Sequence, residues 1–381
     1  MKLAVLTFHR AYNCGAMLQA WALRVVLERM GHDVEFPICN HVGERDCLLP
    51  YVYRKSPIRL FISLLYRTVY NGFALFGGKV SERRYRAFRR RFLPERAVAV
   101  ANLADVYDCA VIGSDQVWSA QHAGPDYSLF CGERLPERLH RISYAASYGD
   151  RNMADDERVH LLPCLKRYCA VSVRERAAQD ELMRLGVRDI AWLLDPTLLL
   201  TAEDYREAMD NIRVRGPYLY VYWVNGGELL LNTARRLAKR LKVKLIVTPV
   251  YIHSKVGAPK GMTLGISPGR LLAYTQQATY VLAGSFHGTV FGLLFKKPFL
   301  SFRERPDVVE SRPASLLNRL GIPERLVTPE VPIEEMVRLL HEPIPEIVYT
   351  ERLPNLRQQS LDWLKAALEK VEWERAGMRS S

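Results

Sequence analysis

Acidic residues are in short supply in this 381-residue chain: 41 Asp and Glu stand against 54 Lys and Arg, a formal net charge of +13. That balance suits a phosphorylated or acidic substrate, an anionic membrane surface or nucleic acid, and does not choose among them. Cysteine is sparse as well, with seven residues (Cys14, Cys39, Cys47, Cys109, Cys131, Cys164 and Cys169), all in the first half. Their odd number, the lack of any CxxC pair and the lack of a nearby His cluster argue against a disulfide framework and a zinc site, and predict reduced thiols. No P-loop lysine motif, GxGxxG fingerprint, HExxH or GxSxG occurs. Low-complexity segments and internal repeats are absent, as are carboxylates spaced as a recognisable glycosidase pair. Zinc-finger, helix-turn-helix and RNP signatures are missing too, so nucleic acid is not expected as a partner.

Long apolar runs are equally scarce. The stretch from Ile58 to Phe76 is interrupted by Arg59 and Arg67 and broken by Asn71-Gly72, which excludes a membrane span. Its apolar residues Leu60, Phe61, Leu64, Leu65, Val69 and Phe73 suit one helix face. Seven arginines follow between Arg83 and Arg96. Two readings stay open: a packed helix followed by one with a solvated basic face, or a segment lying on an anionic membrane surface. The N-terminal apolar run is too short for a signal peptide and has no cleavage site, which predicts a cytoplasmic protein, peripheral at the inner membrane face if the second reading holds.

What the chain does have is alternation of strand and helix patterns. Leu3 to Phe8 reads as a strand, the Asn13-Cys14-Gly15-Ala16 turn follows, and a helix pattern runs from Met17 to a stop at Gly31. Val34 to Ile38 completes a βαβ opening. Later strands are expected at 106–112, 141–146, 170–173 and 192–194, ending in Ser114/Asp115, Ser147, Arg174 and Asp195, which should share one sheet edge. A second unit begins near Tyr218, with strands at 218–223, 244–250, 280–283 and 299–302 and helices at 228–241, 268–277 and 289–295. A last helix, 355–371, follows after this unit has closed. The length favours two domains: an α/β chain of two Rossmann-like domains, 1–200 and 201–345, facing a cleft, with 346–381 supplying a helix that packs back on the first.

The most distinctive segment is Ala283-Gly284-Ser285-Phe286-His287-Gly288-Thr289, a lone His between two glycines where a strand gives way to a helix. Open α/β sheets place ligand-contacting groups there, and helix N-termini favour anions. Among groups with useful chemistry, His287 can donate a proton near neutral pH, Arg174 offers a fork for phosphate or carboxylate, and Asp115 can accept a proton. Plainer readings remain beside these. Asp115 can cap a helix, Arg174 can pair with Glu175 or Asp195, Asp195-Pro196 can simply end a strand, Trp21 and Trp118 can be core, and His9 can line the cleft or not.

Six segments in this order resemble the polysaccharide pyruvyltransferase family: Asn13-Cys14-Gly15-Ala16-Met17-Leu18-Gln19-Ala20, Ile112-Gly113-Ser114-Asp115-Gln116-Val117-Trp118, Ser143-Tyr144-Ala145-Ala146-Ser147, Ser172-Val173-Arg174-Glu175, Leu194-Asp195-Pro196-Thr197-Leu198-Leu199 and Ser285-Phe286-His287-Gly288. The resemblance spans about Met1 to Leu326. It implies a GT-B-like fold and transfer of the enolpyruvyl unit of phosphoenolpyruvate onto two hydroxyls of one sugar in a surface (exo)polysaccharide precursor. It further implies His287 as general acid, Asp115 as base, and Arg174, Ser285, Gly288, Ser114, Asn13 and Gly15 at the substrates, with no metal or bound cofactor. Several members carry an Arg where this chain has Ser285, so Arg312 is the candidate for the missing charge. Cys14 stands where a Tyr is more usual. The partners implied are phosphoenolpyruvate and a saccharide acceptor, lipid-linked if the basic segment meets a membrane. Two competing classes stay open: a GT-B glycosyltransferase using a nucleotide sugar, because fold does not fix donor, and a basic protein that binds nucleic acid or membrane and has lost catalysis.

Overall fold

The computed structural model describes residues 1–39, 80–223, 227–249, 265–304 and 311–377. The amphipathic 58–76 stretch lies outside them. Two parallel sheets organise the rest. The first combines β1 (Lys2–Leu6), β2 (Asp33–Ile38), β3 (Glu95–Ala97), β4 (Cys109–Ile112) and β5 (His140–Ser143) in the order β3-β2-β1-β4-β5. A further parallel pair, β6 (Val171–Val173) and β7 (Ile190–Trp192), is joined to it by bridges from Ala170 to Ile142 and from Val173 to Ala146. The second sheet orders β8 (Tyr218–Trp223), β9 (Lys244–Pro249), β10 (Tyr280–Ala283), β11 (Phe299–Phe302) and β12 (Leu326–Val327) as β12-β11-β10-β8-β9. These are the two common doubly wound arrangements, one per half. Strand order reverses between β1 and β4 in the first and between β8 and β10 in the second, and ligands bind at such points.

The strands are short and apolar on both faces, as parallel strands covered by helices must be; all four residues of β4 and all six of β8 are buried. The longer helices are α1 (Cys14–Arg29), α2 (80–92), α3 (Asp155–Leu165), α4 (Arg176–Arg184), α5 (Glu228–Arg240), α6 (Pro268–Gln277), α7 (Phe286–Leu294), α8 (Arg312–Leu320), α9 (Ile333–His341) and α10 (Leu353–Arg375). One hydrophobic cluster runs through both halves, from Trp21 of α1 to Tyr205 and on to Phe291 of α7, with ring centroids 5.2 Å apart at each step. Separate clusters fill the outer faces of the first and second sheets.

Several features depart from the sequence reading, among them the strands expected at 141–146 and 192–194, which run instead over His140–Ser143 and Ile190–Trp192. The expected strand at 106–112 begins only at Cys109, because Leu103–Val106 is helical. Helix α7 starts three residues before the expected Thr289: the Ser285 hydroxyl accepts from the Gly288 amide and caps the helix there. His287 therefore sits in the first turn of α7. The arginine-rich stretch is only partly a solvated face, since Arg89 is buried and ion-pairs Glu95 while Arg84 donates to the Gly265 carbonyl.

Helix α10 returns to the first half. Its Ser360 hydroxyl accepts from the Leu194 amide at 3.1 Å, and Arg357 donates to the carbonyls of Leu198 and Leu200. The helix thereby braces the 194–200 segment that follows β7.

Candidate active site

The carboxyl ends of β1, β4, β6, β7 and β10 converge. Asn13 caps α1, its side-chain oxygen accepting from the amides of Gly15 (2.9 Å) and Ala16 (3.3 Å). Thr7, just past β1, donates its hydroxyl to the Ser114 carbonyl at 2.9 Å and accepts from Gln19 at 2.8 Å, which ties β1, α1 and the end of β4 together. The amino ends of α1 and α7 then meet. A β-carbon on Gly15 would lie 2.2 Å from Nδ1 of His287, so only glycine allows this approach.

Asp195 lies at the centre. One carboxylate oxygen, Oδ1, accepts from the amide and hydroxyl of Thr197 at 3.0 and 2.6 Å, which caps the short 3-10 turn Pro196–Leu198. The other, Oδ2, accepts from Arg174 Nη1 at 2.7 Å and from the Ser114 hydroxyl at 3.2 Å, and lies 3.7 Å from His287 Nε2. Arg174 also donates through Nε to Glu175 at 2.9 Å and lies over the Phe286 ring at 4.5 Å. Its Nη2 is 3.9 Å from Asp115. Asp115 has φ +72°, a left-handed conformation that Asp tolerates better than most residues. Its carboxylate accepts from the Gln116 amide at 2.9 Å. Residues held there against their preference concentrate at functional sites.

All five side chains are buried: Ser114, Asp115, Arg174, Asp195 and His287 are each at most 8% exposed. Burial would raise the Asp195 carboxyl, but His287, Arg174 and Thr197 together hold it far below the usual carboxylate range. Burial alone would likewise weaken the Arg174 cation, and Glu175, Asp195 and Asp115 reverse that and raise its pKa. Glu175 ends above its ordinary value, because its burial outweighs Arg174 and Arg312. Three polar atoms in this network make no hydrogen bond among the described residues: one acceptor, Glu175 Oε2, and two donors, Arg174 Nη2 and His287 Nε2. Buried donors rarely go unused. They are the groups left for a ligand.

The other sequence candidates are distributed around this core. Asn13, Ser285 and Gly288 are engaged in helix capping. Arg312, the first residue of α8, binds Asp150 through its amide (2.7 Å) and guanidinium (3.1 Å), bridging the two halves. His9 is buried against Glu95 at 3.5 Å. Cys14 is fully buried beside the Tyr85 hydroxyl at 3.0 Å, and burial pushes its thiol up to about 12. Trp21 and Trp118 are core. Sequence reasoning sets Asp195 at the shared sheet edge and offers it as a partner for Arg174 or as a strand terminator, but not as the centre of the site.

The family model described as polysaccharide pyruvyl transferase matches residues 13–305, which contains every residue of this network. The chain belongs to the polysaccharide pyruvyl transferase family. No curated protein matches it significantly. Among solved structures, the UDP-GlcNAc 2-epimerase of Methanocaldococcus jannaschii is 12% identical, with 96% of this chain and 100% of that one covered, at a TM-score of 0.50. The UDP-N-acetylglucosamine 2-epimerase of Rickettsia bellii is 11% identical over 98% and 96%, at 0.51. The S. aureus protein MnaA, solved with UDP, is 10% identical over 100% and 98%, also at 0.51. At these identities the likeness speaks for the fold alone, a GT-B-like pair of Rossmann-like domains. Within this pyruvyl transferase family member, no described helix is long and apolar enough to cross a membrane.

Proposed function

We propose that this pyruvyl transferase takes its enolpyruvyl unit from phosphoenolpyruvate and forms a cyclic pyruvate ketal on two hydroxyls of one sugar of a surface polysaccharide precursor. The observation that carries this reading is the pair of unbonded buried donors, Arg174 Nη2 and His287 Nε2, both anchored on Asp195 at the seam of the two halves.

In this scheme His287 delivers a proton to C3 of the donor, which makes C2 electrophilic. A sugar hydroxyl attacks C2 and gives up its proton to Asp115. The C2–O bond to phosphate then breaks, and the second hydroxyl closes the ring as its proton leaves with inorganic phosphate. The proton on Asp115 restores that of His287 through solvent. Atoms balance: the two hydroxyl protons replace the one taken up at C3 and the one carried off by phosphate. No metal is called for.

Charge sets a requirement on the donor pocket. Arg174 is already surrounded by Asp115, Glu175 and Asp195, so a second cation must help neutralise phosphate and carboxylate. Arg312 fits this role. It acts electrostatically on Glu175 from across the seam, and its Asp150 contact is partly exposed and exchangeable. The amino ends of α1 and α7 add favourable dipoles.

The test is phosphate release from phosphoenolpyruvate in the presence of a panel of saccharides, with mass analysis of the acceptor. Acceptor-dependent release together with the mass gain of a pyruvyl ketal supports the reading. Turnover of nucleotide sugars with no use of phosphoenolpyruvate would replace it with a glycosyltransferase.

A further inference from the structure

Away from the Asp195 network, three side chains from remote positions meet where α10 crosses the first sheet. His140 opens β5, Cys169 precedes β6 and Glu374 lies in the last turn of α10. Cys169 Sγ is 3.7 Å from His140 Nδ1 and 3.2 Å from Glu374 Oε2, and those two atoms are 3.4 Å apart. We propose that His140, Cys169 and Glu374 form a site for a divalent transition metal of the zinc class, one that fastens the C-terminal helix to the first domain.

The triangle has the right size. Tetrahedral coordination at ~2.3 Å to sulfur and ~2.0–2.1 Å to nitrogen and oxygen sets S···N and S···O edges near ~3.5 Å and an N···O edge near ~3.4 Å. The observed edges lie within about 0.3 Å of these. The donor set is one that zinc accepts, a thiolate, an imidazole and a carboxylate, whose two negative charges balance the dication. His140 and Cys169 are half-buried, and Glu374 lies at the exposed end of its helix. The His140 and Glu374 side chains are 28% and 33% exposed, which leaves an open fourth direction for water.

Without metal the three groups bond one another, the Cys169 thiol donating to Glu374 with His140 within reach of both. Burial and Glu374 push the Cys169 thiol up to about 11, with Lys370 opposing. A bound dication removes that proton outright. Lys370 does not occupy the ligand position; its ammonium donates to the Cys169 carbonyl at 2.8 Å. The pattern was invisible in the sequence because the ligands are 29 and 205 residues apart.

The consequence is mechanical. Glu374 and Ser360 lie on the same helix, about 20 Å apart at 1.5 Å per residue, and Ser360 holds the Leu194 amide next to Asp195. A metal at one end of α10 steadies the segment that carries Asp195 at the other, whatever the donor of the transferred group.

The test uses the full-length protein without a metal-binding tag. It is loaded with zinc or cobalt(II), desalted, and analysed for metal content, visible absorption and melting temperature. The expected result is about one metal per chain, a thiolate-to-cobalt charge-transfer band, and a rise in melting temperature with zinc that a chelator reverses. Cys169→Ser should lose the band, and Glu374→Gln, at an exposed helix end, should bind at least tenfold more weakly and lose the zinc-dependent rise. Metal content and band unchanged in both variants would place the metal elsewhere and overturn the proposal. Wild-type protein that retains no metal would overturn it as well. If Cys169→Ser fails to fold, the Glu374→Gln titration decides alone.

Discussion

Gly15 and His287 touch across the seam of the two domains so closely that a single methyl group on Gly15 would come within 2.2 Å of the imidazole Nδ1. The approach lets two helix amino ends face one another and directs Nε2 of the same ring toward Asp195. Backbone of one domain thus sets the position of the proposed acid in the other.

Gly15→Ala is therefore expected to move His287 rather than to unfold the chain. Alanine favours the first turn of a helix by up to ~1 kcal/mol over glycine, which offsets part of the local strain. Misplacing a reacting group by about 1 Å can cost ~100-fold in rate. Turnover should fall by that order, with a moderate drop in melting temperature, because the methyl would also lie 2.9 Å from the buried His287 β-carbon and such overpacking costs about 1–3 kcal/mol. Wild-type turnover in the alanine variant would show that the contact does not position the ring.

Asp195→Asn keeps the shape of the side chain and removes the charge that Arg174 and His287 share. Breaking a buried ion pair on one side costs about 3–5 kcal/mol, so denaturant unfolding should show a loss of that order, along with loss of activity. The pH dependence has a definite sign. The folded-state pKa of Asp195 is depressed, so its stabilising contribution is complete above the ordinary carboxylate pKa of about 4 and is lost as pH falls below it. Wild-type stability should drop over that acid range more steeply than that of the asparagine variant. Parallel curves for the two proteins would contradict the assignment.

Cys14 opens α1 at the turn that meets His287, so a thiol acid for C3 protonation is the alternative to test. With its pKa pushed up to about 12 by burial, the thiol should resist iodoacetamide in the folded protein at about pH 8, where exposed thiols react. Cys14→Ser should keep turnover within a few-fold of wild type. Alkylation of Cys14 that inactivates the enzyme in proportion would transfer the proton-donor role from His287 to it.

Arg312→Ala should weaken phosphoenolpyruvate binding about tenfold, roughly the value of one charge-assisted contact, with little change in stability because its pair with Asp150 is partly exposed. An unchanged binding constant would reduce Arg312 to a link between the domains.

Much of this site is legible in the sequence. Strands ending in Ser114, Arg174 and His287 can be placed because short apolar runs meet small or charged residues at their carboxyl ends, and the parallel topology does gather those ends. The place of Asp195 at that edge is legible too, but its central role is not. It depends on three partners supplied by other strand ends and a helix, 81, 21 and 92 residues away along the chain (195 to 114, 174 and 287). Helix α7 starts three residues before the expected Thr289 because the Ser285 hydroxyl caps it there, whereas apolar periodicity begins only after the cap. The burial of Arg89 inside an apparently solvated basic run has a similar origin, since its partner Glu95 comes from a strand at the edge of the first sheet.

The most direct test of the proposed chemistry is the melting temperature of the purified protein with phosphoenolpyruvate, compared with a panel of nucleotide sugars. A ligand at 100 times its dissociation constant adds ~2.7 kcal/mol to folded-state stability. The predicted result is stabilisation by phosphoenolpyruvate that disappears in Arg174→Ala and His287→Ala. Stabilisation by a nucleotide sugar, with none from phosphoenolpyruvate, would contradict it.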